Sequence, residues 1–534
     1  MTAATATPAT PAPRERRRPW VAPPGGRPIA LYPVVLAGLV VVELFVSSGV
    51  SPLEMIRSLV VAIGLGLALV VLGRVLLGDA HRGGIFAAFA LLLVVAGADL
   101  RLAAVVAAAI GLLFVERYAL APERRTIRWS FIGRFFSRLT AVLVLAVAIQ
   151  AVQAGTPEVL ARTATREAPF GGAGVVAAAA QTNPPHPDIY VILADGHARA
   201  DVLADYFGYD ESAFSAGLAD RGLHVATKAR TNYAITAEVL ASMFNMRPLQ
   251  DIPSLGPLLA GSATRPAGVL VREALNDGPA LQRLRDEGYS VTATASSFAE
   301  PTLRQVDTWI DTGQLNEFEV NLLRRSVFRP IIAAVAPDLV TSQYRQRTVD
   351  TLAAAATIAG TRSASPRFVF VHVPSPHPPW VVNADGSPRA IADVDSIFGE
   401  TTPSTGLDID ALKRGYTGQV AWLDRELLST IDAIDAASST PPAIVVFGDH
   451  GSWVGADGDD IRRRFRPLFA ARVPDGAAIY PDDVALVDTF PILFDHLFGG
   501  TTPRHEDAPS WMFRVPAEYD LFPIGDPNAT EPAP

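Results

Sequence analysis

Apolar residues crowd the first third of this 534-residue chain, and that crowding restricts its possible folds more than any other feature. Five segments stand out, at about 29–50, 59–77, 84–98, 102–115 and 139–155. The first two are long enough to cross a ~30 Å hydrocarbon core. The third and fourth are short and separated only by Asp99-Leu-Arg101, which reads either as a tight hairpin or as one very long helix. Arginines decide the count. Arg14 to Arg18 precede the first segment, Arg74 and Arg82 follow the second, and Arg117, Arg124, Arg125, Arg128, Arg134 and Arg138 precede the last. Five spans put all three groups on the cytoplasmic side, as the positive-inside rule requires, whereas four would put the richest group outside. Everything after Gly155 is then expected to be extracytoplasmic. Glu43, inside the first span, is a functional candidate by its position; the bland alternative is a place near the outer interface or against another helix.

Composition bounds the rest. A net charge of -9 argues against a nucleic-acid partner, and the absence of cysteine excludes disulfides and thiolate metal sites. The order expected along the chain is a disordered basic tail (1–28), a transmembrane domain (29–155), an Ala/Gly/Thr-rich linker (156–183), a catalytic domain (184–503) and a loose Pro-rich tail (504–534). A signal peptide is the alternative for the first stretch, although no small-residue cleavage site follows cleanly. In the fourth region strand and helix patterns alternate. A helix closed by Gly288 precedes a strand over 289–295. A helix over 416–434 carries Val420, Leu423, Leu427 and Ile431 on one face. The fold class expected is a five-span helical membrane domain followed by an α/β domain, its mainly parallel sheet covered by helices.

Three strands of that region end in chemistry. Ala443-Ile-Val-Val-Phe-Gly runs into Asp449-His450-Gly451. Asp188-Ile-Tyr-Val-Ile-Leu-Ala runs into Asp195-Gly196, where Gly permits a sharp turn. Phe368-Val-Phe-Val-His372 runs into a Pro-rich turn with His377. Open α/β sheets place ligands just outside the carboxyl ends of their strands. A carboxylate beside an imidazole there can share a divalent cation. Each motif alone also has a plain reading, an Asx-turn cap or a structural histidine. Thr236 opens a helical stripe of Ala237, Leu240, Ala241 and Phe244. It reads as an N-cap, yet a helix start also suits an anionic phosphoryl group, and a metal-bound hydroxyl becomes a nucleophile. Thr231 is the rival, without a following helix.

Taken in order, Asp195-Gly, the Thr236 helix, His372 with His377-Pro, and Asp449-His450-Gly resemble the alkaline phosphatase/sulfatase superfamily over about 184–500. The closer likeness is to its membrane-anchored branch of lipoteichoic acid synthases and phosphoethanolamine transferases. The segment Ala485-Leu-Val-Asp488-Thr-Phe-Pro491 resembles the family's closing strand-to-helix stretch. The resemblance implies an α/β fold, a covalent nucleophile at Thr236, and one divalent ion (Mn, Mg or Zn) held by Asp195, Thr236, Asp449 and His450. It implies that His377, with His372, contacts the phosphoryl group or protonates the leaving group. Asn232 is a further substrate-binding candidate, with turn hydrogen bonding as the alternative. Formylglycine sulfatases need a Cys or Ser motif and active-site lysines, which this chain lacks near Thr236; its lysines are Lys228 and Lys413. Gly196 also replaces the second acid of the sulfatase Asp-Asp pair.

The expected activity is therefore metal-dependent phosphotransfer or phosphodiester cleavage on a membrane lipid head group or cell-envelope glycan. The alternatives are a hydrolase of phosphate or sulfate esters of envelope glycans, and an inactive domain kept for binding.

Overall fold

The computed structural model describes residues 30–48, 52–95, 100–121, 127–153 and 186–528, apart from 264, 266, 297, 299, 327, 337, 390–407, 456–457 and 515–516. The expected tail at 1–28 and linker at 156–183 lie outside the described residues.

The apolar segments form helices α1 (Tyr32–Ser48), α2 (Pro52–Leu77), α3 (Ala80–Val95), α4 (Leu100–Phe114, continued by a π-helical turn, Val115–Ala119) and α5 (Trp129–Gln153). Three are long and apolar enough to cross a membrane: Met55–Leu77, Arg101–Ala119 and Trp129–Gln150. Among the described residues, Tyr32–Phe45 and Ala80–Val94 are shorter apolar helices. The reading of apolar runs also placed two starts too late. Helix α2 begins before residue 59 and includes Arg57, and α5 begins before residue 139 and includes Arg134 and Arg138. Long basic side chains can reach from a helix flank toward water, so a charge need not end a span. Glu43 lies on α1 with its side chain exposed, outside the packed interior of the bundle.

The two ends of the bundle differ. At one end Arg82 pairs with Glu116 at 3.3 Å, Trp129 donates to the same carboxylate, and Arg117 Nε donates to Leu77 O at 3.2 Å. At the other, Arg57 pairs with Glu319 of the helix Glu317–Arg325 and donates to Gly313 O at 2.8 Å and Gln314 O at 3.0 Å. Phe318 of that helix joins Val41, Leu44 and Phe45 in one apolar cluster. The arginine-rich turns and the α/β domain thus stand at opposite ends of the helices.

The α/β domain is built on a seven-stranded sheet in the order β2-β7-β6-β1-β5-β3-β4. Its strands are β1 (Ile189–Ala194), β2 (His224–Val225), β3 (Ser290–Thr294), β4 (Thr308–Ile310), β5 (Arg367–Val373), β6 (Ala443–Phe447) and β7 (Phe469–Arg472). The pairings from β6 through β4 are parallel, and β7 runs antiparallel to β6 and β2. Every residue of β1 is buried, because both faces are covered. Ile189, Val191 and Leu193 face the helix Thr236–Asn245 and its surroundings, while Tyr190, Ile192 and Ala194 face the long helix Ile409–Ala437. The face predicted for that helix is correct: Val420, Leu423, Leu427 and Ile431 are fully buried. Phe244 anchors the other helix against Phe368, Phe370 and Phe490, with ring centroids 4.8–6.3 Å apart. Burying a side chain of this kind contributes roughly 1.5–3 kcal/mol.

Where the expected loose tail is described, between 504 and 528, paired strands form instead. Strands β8 (Ser510–Arg514) and β9 (Ala517–Gly525) pair as an antiparallel ribbon. Trp511 N donates to Asn232 O at 2.8 Å, and Ser510 Oγ to Thr231 O at 2.7 Å. The prolines are tolerated because a two-stranded ribbon is all edge; Pro523, opposite Trp511, needs no third strand.

Candidate active site

Strands β5, β1 and β6 are neighbours at the centre of the sheet, so their carboxyl ends share one crevice. Asp195 follows β1, His372 lies near the end of β5, and Asp449 and His450 follow β6. Two glycines make the turns possible. Gly196 has φ +78°, a conformation a side chain would strain. At Gly448 a Cβ would lie 2.2 Å from the His197 carbonyl oxygen, so the two strand-end loops touch backbone to backbone.

The side chains then converge. Gly196 N donates to Asp449 Oδ1 at 2.9 Å. Asp449 Oδ2 lies 3.1 Å from His450 Nε2, and Thr236 Oγ1 lies 3.3 Å from the same nitrogen. His450 Nδ1 is 3.1 Å from Gly451 O, which can only accept; Nδ1 therefore carries the proton and Nε2 presents its lone pair inward. This is the tautomer of a metal-ligating histidine with its second nitrogen held by a carbonyl. Burial, reinforced by the nearby Arg464 charge, holds the His450 pKa well below its ordinary value, so the ring stays neutral.

Thr236 is not the N-cap expected from sequence. The helix starts at Thr236 itself, Ile235 is the cap residue, and no side chain caps this end. The hydroxyl is therefore free to face His450, while first-turn N–H groups lack intrahelical acceptors. Thr231, the rival, is buried with Oγ1 on Tyr233 O at 3.3 Å.

The carboxyls differ electrostatically. Burial pushes Asp449 up to about 8, and the negative charge of Asp195 adds to the rise. Burial acts on Asp195 in the same direction, but the facing His377, His372 and His450 override it and hold Asp195 below the usual carboxylate range.

Two expected substrate contacts are otherwise engaged. His372 is 1% exposed, with Nε2 3.0 Å from Asp195 Oδ2; it orients a carboxylate instead of facing an open pocket. The Asn232 amide donates to Ala508 O at 3.2 Å and Pro509 O at 3.1 Å, which fixes the β8–β9 ribbon. That agrees with a hydrogen-bonding role for Asn232, not with substrate contact. His377 is partly exposed. Its Nδ1 donates to Pro378 O at 2.8 Å, leaving Nε2 available, and its ring packs edge-on to Phe298 at 5.0 Å.

Sequence reasoning missed Arg464. It is 2% exposed and lies 3.3 Å over the Trp453 ring. Its Nε donates to Ala234 O at 2.9 Å and its Nη1 to Gly451 O at 2.7 Å. One guanidinium thus fastens the chain before Thr236 to the turn after His450. Nothing in the run Arg462-Arg463-Arg464 marks which arginine turns inward.

Asp195, Asp449 and His450 each offer a ligand atom within 4.8 Å of the others. Asp195 Oδ1 is buried without a hydrogen-bond partner. Two buried acids, a neutral imidazole with an inward lone pair and a hydroxyl fit a hard or borderline divalent cation.

Fold and site together define a class: an α/β domain with a cation-type cluster and a hydroxyl at a helix start, attached to a bundle of apolar helices. No family model matches the chain, and no curated protein matches it. Among solved structures it is similar to the C-terminal periplasmic domain of EcEptC from Escherichia coli, at 14% identity over 66% of this chain and 92% of that one, TM-score 0.39. It is similar to the phosphonate monoester hydrolase of Agrobacterium radiobacter, at 14% identity over 62% and 82%, TM-score 0.42. It is also similar to the periplasmic domain of the phosphoethanolamine transferase EptC from Campylobacter jejuni, at 12% identity over 59% and 90%, TM-score 0.34. A further EcEptC structure is a complex with Zn. The similarity is one of fold alone. At such identities and scores it carries no functional inference, and the site stands on its own geometry.

Proposed function

We propose that this chain is a membrane-anchored, metal-dependent phosphotransferase or phosphodiesterase acting outside the cytoplasm on lipid head-group or envelope phosphodiesters. The carrying observation is Thr236 Oγ1 at 3.3 Å from His450 Nε2, with Asp449 bonded alongside. Asp195, Asp449, His450 and Thr236 would hold the divalent ion. When bound, such an ion neutralises charge on phosphoryl oxygens and favours the deprotonated hydroxyl.

The residues divide the work. Thr236 Oγ1 attacks phosphorus as the P–O bond to the leaving alcohol breaks, its own proton having passed to solvent water. The first-turn N–H groups face the developing negative charge. His377, protonated at Nε2, gives that proton to the departing alcohol, while the Pro378 carbonyl keeps Nδ1 oriented. A second alcohol or water then attacks the phospho-threonine and gives its proton to His377, while the P–Oγ1 bond breaks and Thr236 regains a proton from solvent. His372 and Arg464 position Asp195 and the Thr236 backbone. With all five apolar helices spanning the membrane the site would lie outside, a reading supported by the α/β domain meeting the bundle opposite its arginine-rich turns.

The test is covalent trapping on the full chain in detergent with a phosphodiester lipid. A phosphorus-containing adduct is expected on the peptide carrying Thr236, absent in Thr236→Ala and retained in Thr236→Ser. Full turnover by Thr236→Ala would remove the covalent step and leave water-attacking ester hydrolysis, the alternative reading.

A further inference from the structure

A second buried cluster lies just beyond the first. His197 stands two positions after Asp195, Glu211 precedes the helix Ser212–Asp220, and Asp424 projects from the long helix Ile409–Ala437. Their ligand atoms all fall within 4.8 Å of one another, and all three residues are buried.

Its hydrogen bonding does not close. His197 Nδ1 lies 2.9 Å from Ala198 O, a carbonyl that can only accept, so Nδ1 donates. The other nitrogen faces two carboxylates: Nε2 is 2.9 Å from Asp424 Oδ1 and 3.5 Å from Glu211 Oε1. Asp424 Oδ2 accepts from Tyr209 OH at 3.2 Å. Glu211 is 2% exposed, and neither of its oxygens has a hydrogen-bond partner. Among the described residues no Lys or Arg pairs with Glu211 or Asp424. With both acids ionised, the single His197 Nε2 proton between them leaves one negative charge unmet unless a cation enters.

We propose that His197, Glu211 and Asp424 bind a divalent cation of the Zn or Mn type at a site distinct from the Asp195/Asp449/His450 cluster. Three features carry this. A cation about 2.1 Å from each ligand sets neighbouring ligand atoms about 3.0 Å apart in octahedral and about 3.4 Å in tetrahedral geometry. The observed 2.9 and 3.5 Å lie close to one spacing each, so the cluster has the size of a cation site without selecting its geometry. Once a cation displaced the proton on His197 Nε2, two carboxylates and a neutral imidazole would balance its charge of +2. The backbone carbonyl on Nδ1 is the orienting contact that ligating histidines use.

The site has a structural purpose. Tyr416 OH donates to Gly196 O at 2.8 Å and accepts from Ala198 N at 2.9 Å, already tying the Asp195 loop to the long helix. His197 already meets Asp424 of that helix at 2.9 Å, and a cation held by both would bring Glu211 into the same tie, so its role is to position Asp195. No opening or nucleophile is required, and the inference is independent of the role proposed for Thr236.

The full chain in detergent, loaded with Zn2+ or Mn2+ and dialysed, gives the test by metal content. Two ions per chain are expected in the parent protein, one in Glu211→Gln, one in Asp449→Ala and none in the double variant. A single ion in the parent, lost in Asp449→Ala and retained in Glu211→Gln, overturns the inference and leaves a histidine–carboxylate ion pair. A single ion lost in Glu211→Gln but kept in Asp449→Ala supports this site and sinks the first. Should Glu211→Gln fail to fold, anomalous diffraction from the parent decides. A peak between His197, Glu211 and Asp424 is expected. Its absence from a crystal with a peak at Asp449 refutes the site.

Discussion

The two buried clusters are nearly the same chemistry, two carboxylates and an imidazole, built on one turn of chain. The Asp195 cluster faces a helix start with a free hydroxyl and a partly exposed histidine, Thr236 and His377. The His197 cluster faces the Tyr209 hydroxyl and the ring of Phe214, 6.0 Å from the imidazole ring. The ligand set does not separate a reactive site from a structural one. What separates them is what lies at the open coordination positions: an attacking group and an exit in one case, packed aromatic residues in the other.

The contrast can be broken most decisively at Thr236. Thr236→Ala should lower turnover by roughly 10³-fold or more, while the melting temperature shifts only slightly, because the hydroxyl caps nothing. Steady-state kinetics beside thermal melts read both. A stability loss of ~1 kcal/mol with turnover intact would return Thr236 to a capping role.

His377 comes next. His377→Asn should reduce kcat by about 10²-fold or more, with less effect on KM, and the loss should shrink for substrates with good leaving groups. An equal loss for good and poor leaving groups would show that His377 binds without donating a proton.

The third effect is on stability. Glu211→Gln should lower the melting temperature of the metal-loaded chain toward that of the chelated parent, and chelator should then shift the variant less than the parent. Equal chelator shifts in both would erase the distinction between the clusters.

The smallest effect is a pH slope. Asp449 is raised to about 8 in the metal-free fold. A carboxyl so raised stabilises the fold fully below its ordinary unfolded value, and that contribution is lost as pH rises through about 8. Metal-free protein should therefore weaken between about pH 4 and pH 8, and Asp449→Asn should flatten the slope. Calorimetry on chelated samples reads it; an unchanged slope in Asp449→Asn would assign the titration elsewhere.

Legibility in the sequence followed the range of the interactions. Asp195, Asp449 and His450 were readable because a short apolar strand followed at once by an acid is a local pattern, and adjacent parallel strands bring such ends together. The Val420, Leu423, Leu427 and Ile431 face was readable by period alone. The Thr236 helix was placed correctly, but the capping alternative for its hydroxyl was not, because a shift of one residue in the helix start separates capping from facing His450. Arg464 was invisible, since its partners are the backbone carbonyls of Ala234 and Gly451, whose positions depend on the whole fold. Asp424 was hidden differently: on a helix of predicted core spacing, nothing local distinguishes an acid turned toward His197 from one turned to water. The β8–β9 ribbon was lost to its prolines, which suggested a free end where Asn232 and Thr231 supply anchors.

Phe318 has a practical consequence. It is 1% exposed in the whole chain because Val41, Leu44 and Phe45 cover it, and Arg57 neutralises the Glu319 beside it. A fragment trimmed to begin after the last apolar helix loses that cover. It carries a bare aromatic next to an unmatched acid, a face prone to self-adhesion during purification. Replacing Phe318 with a polar residue in such a fragment would restore solubility without approaching the crevice.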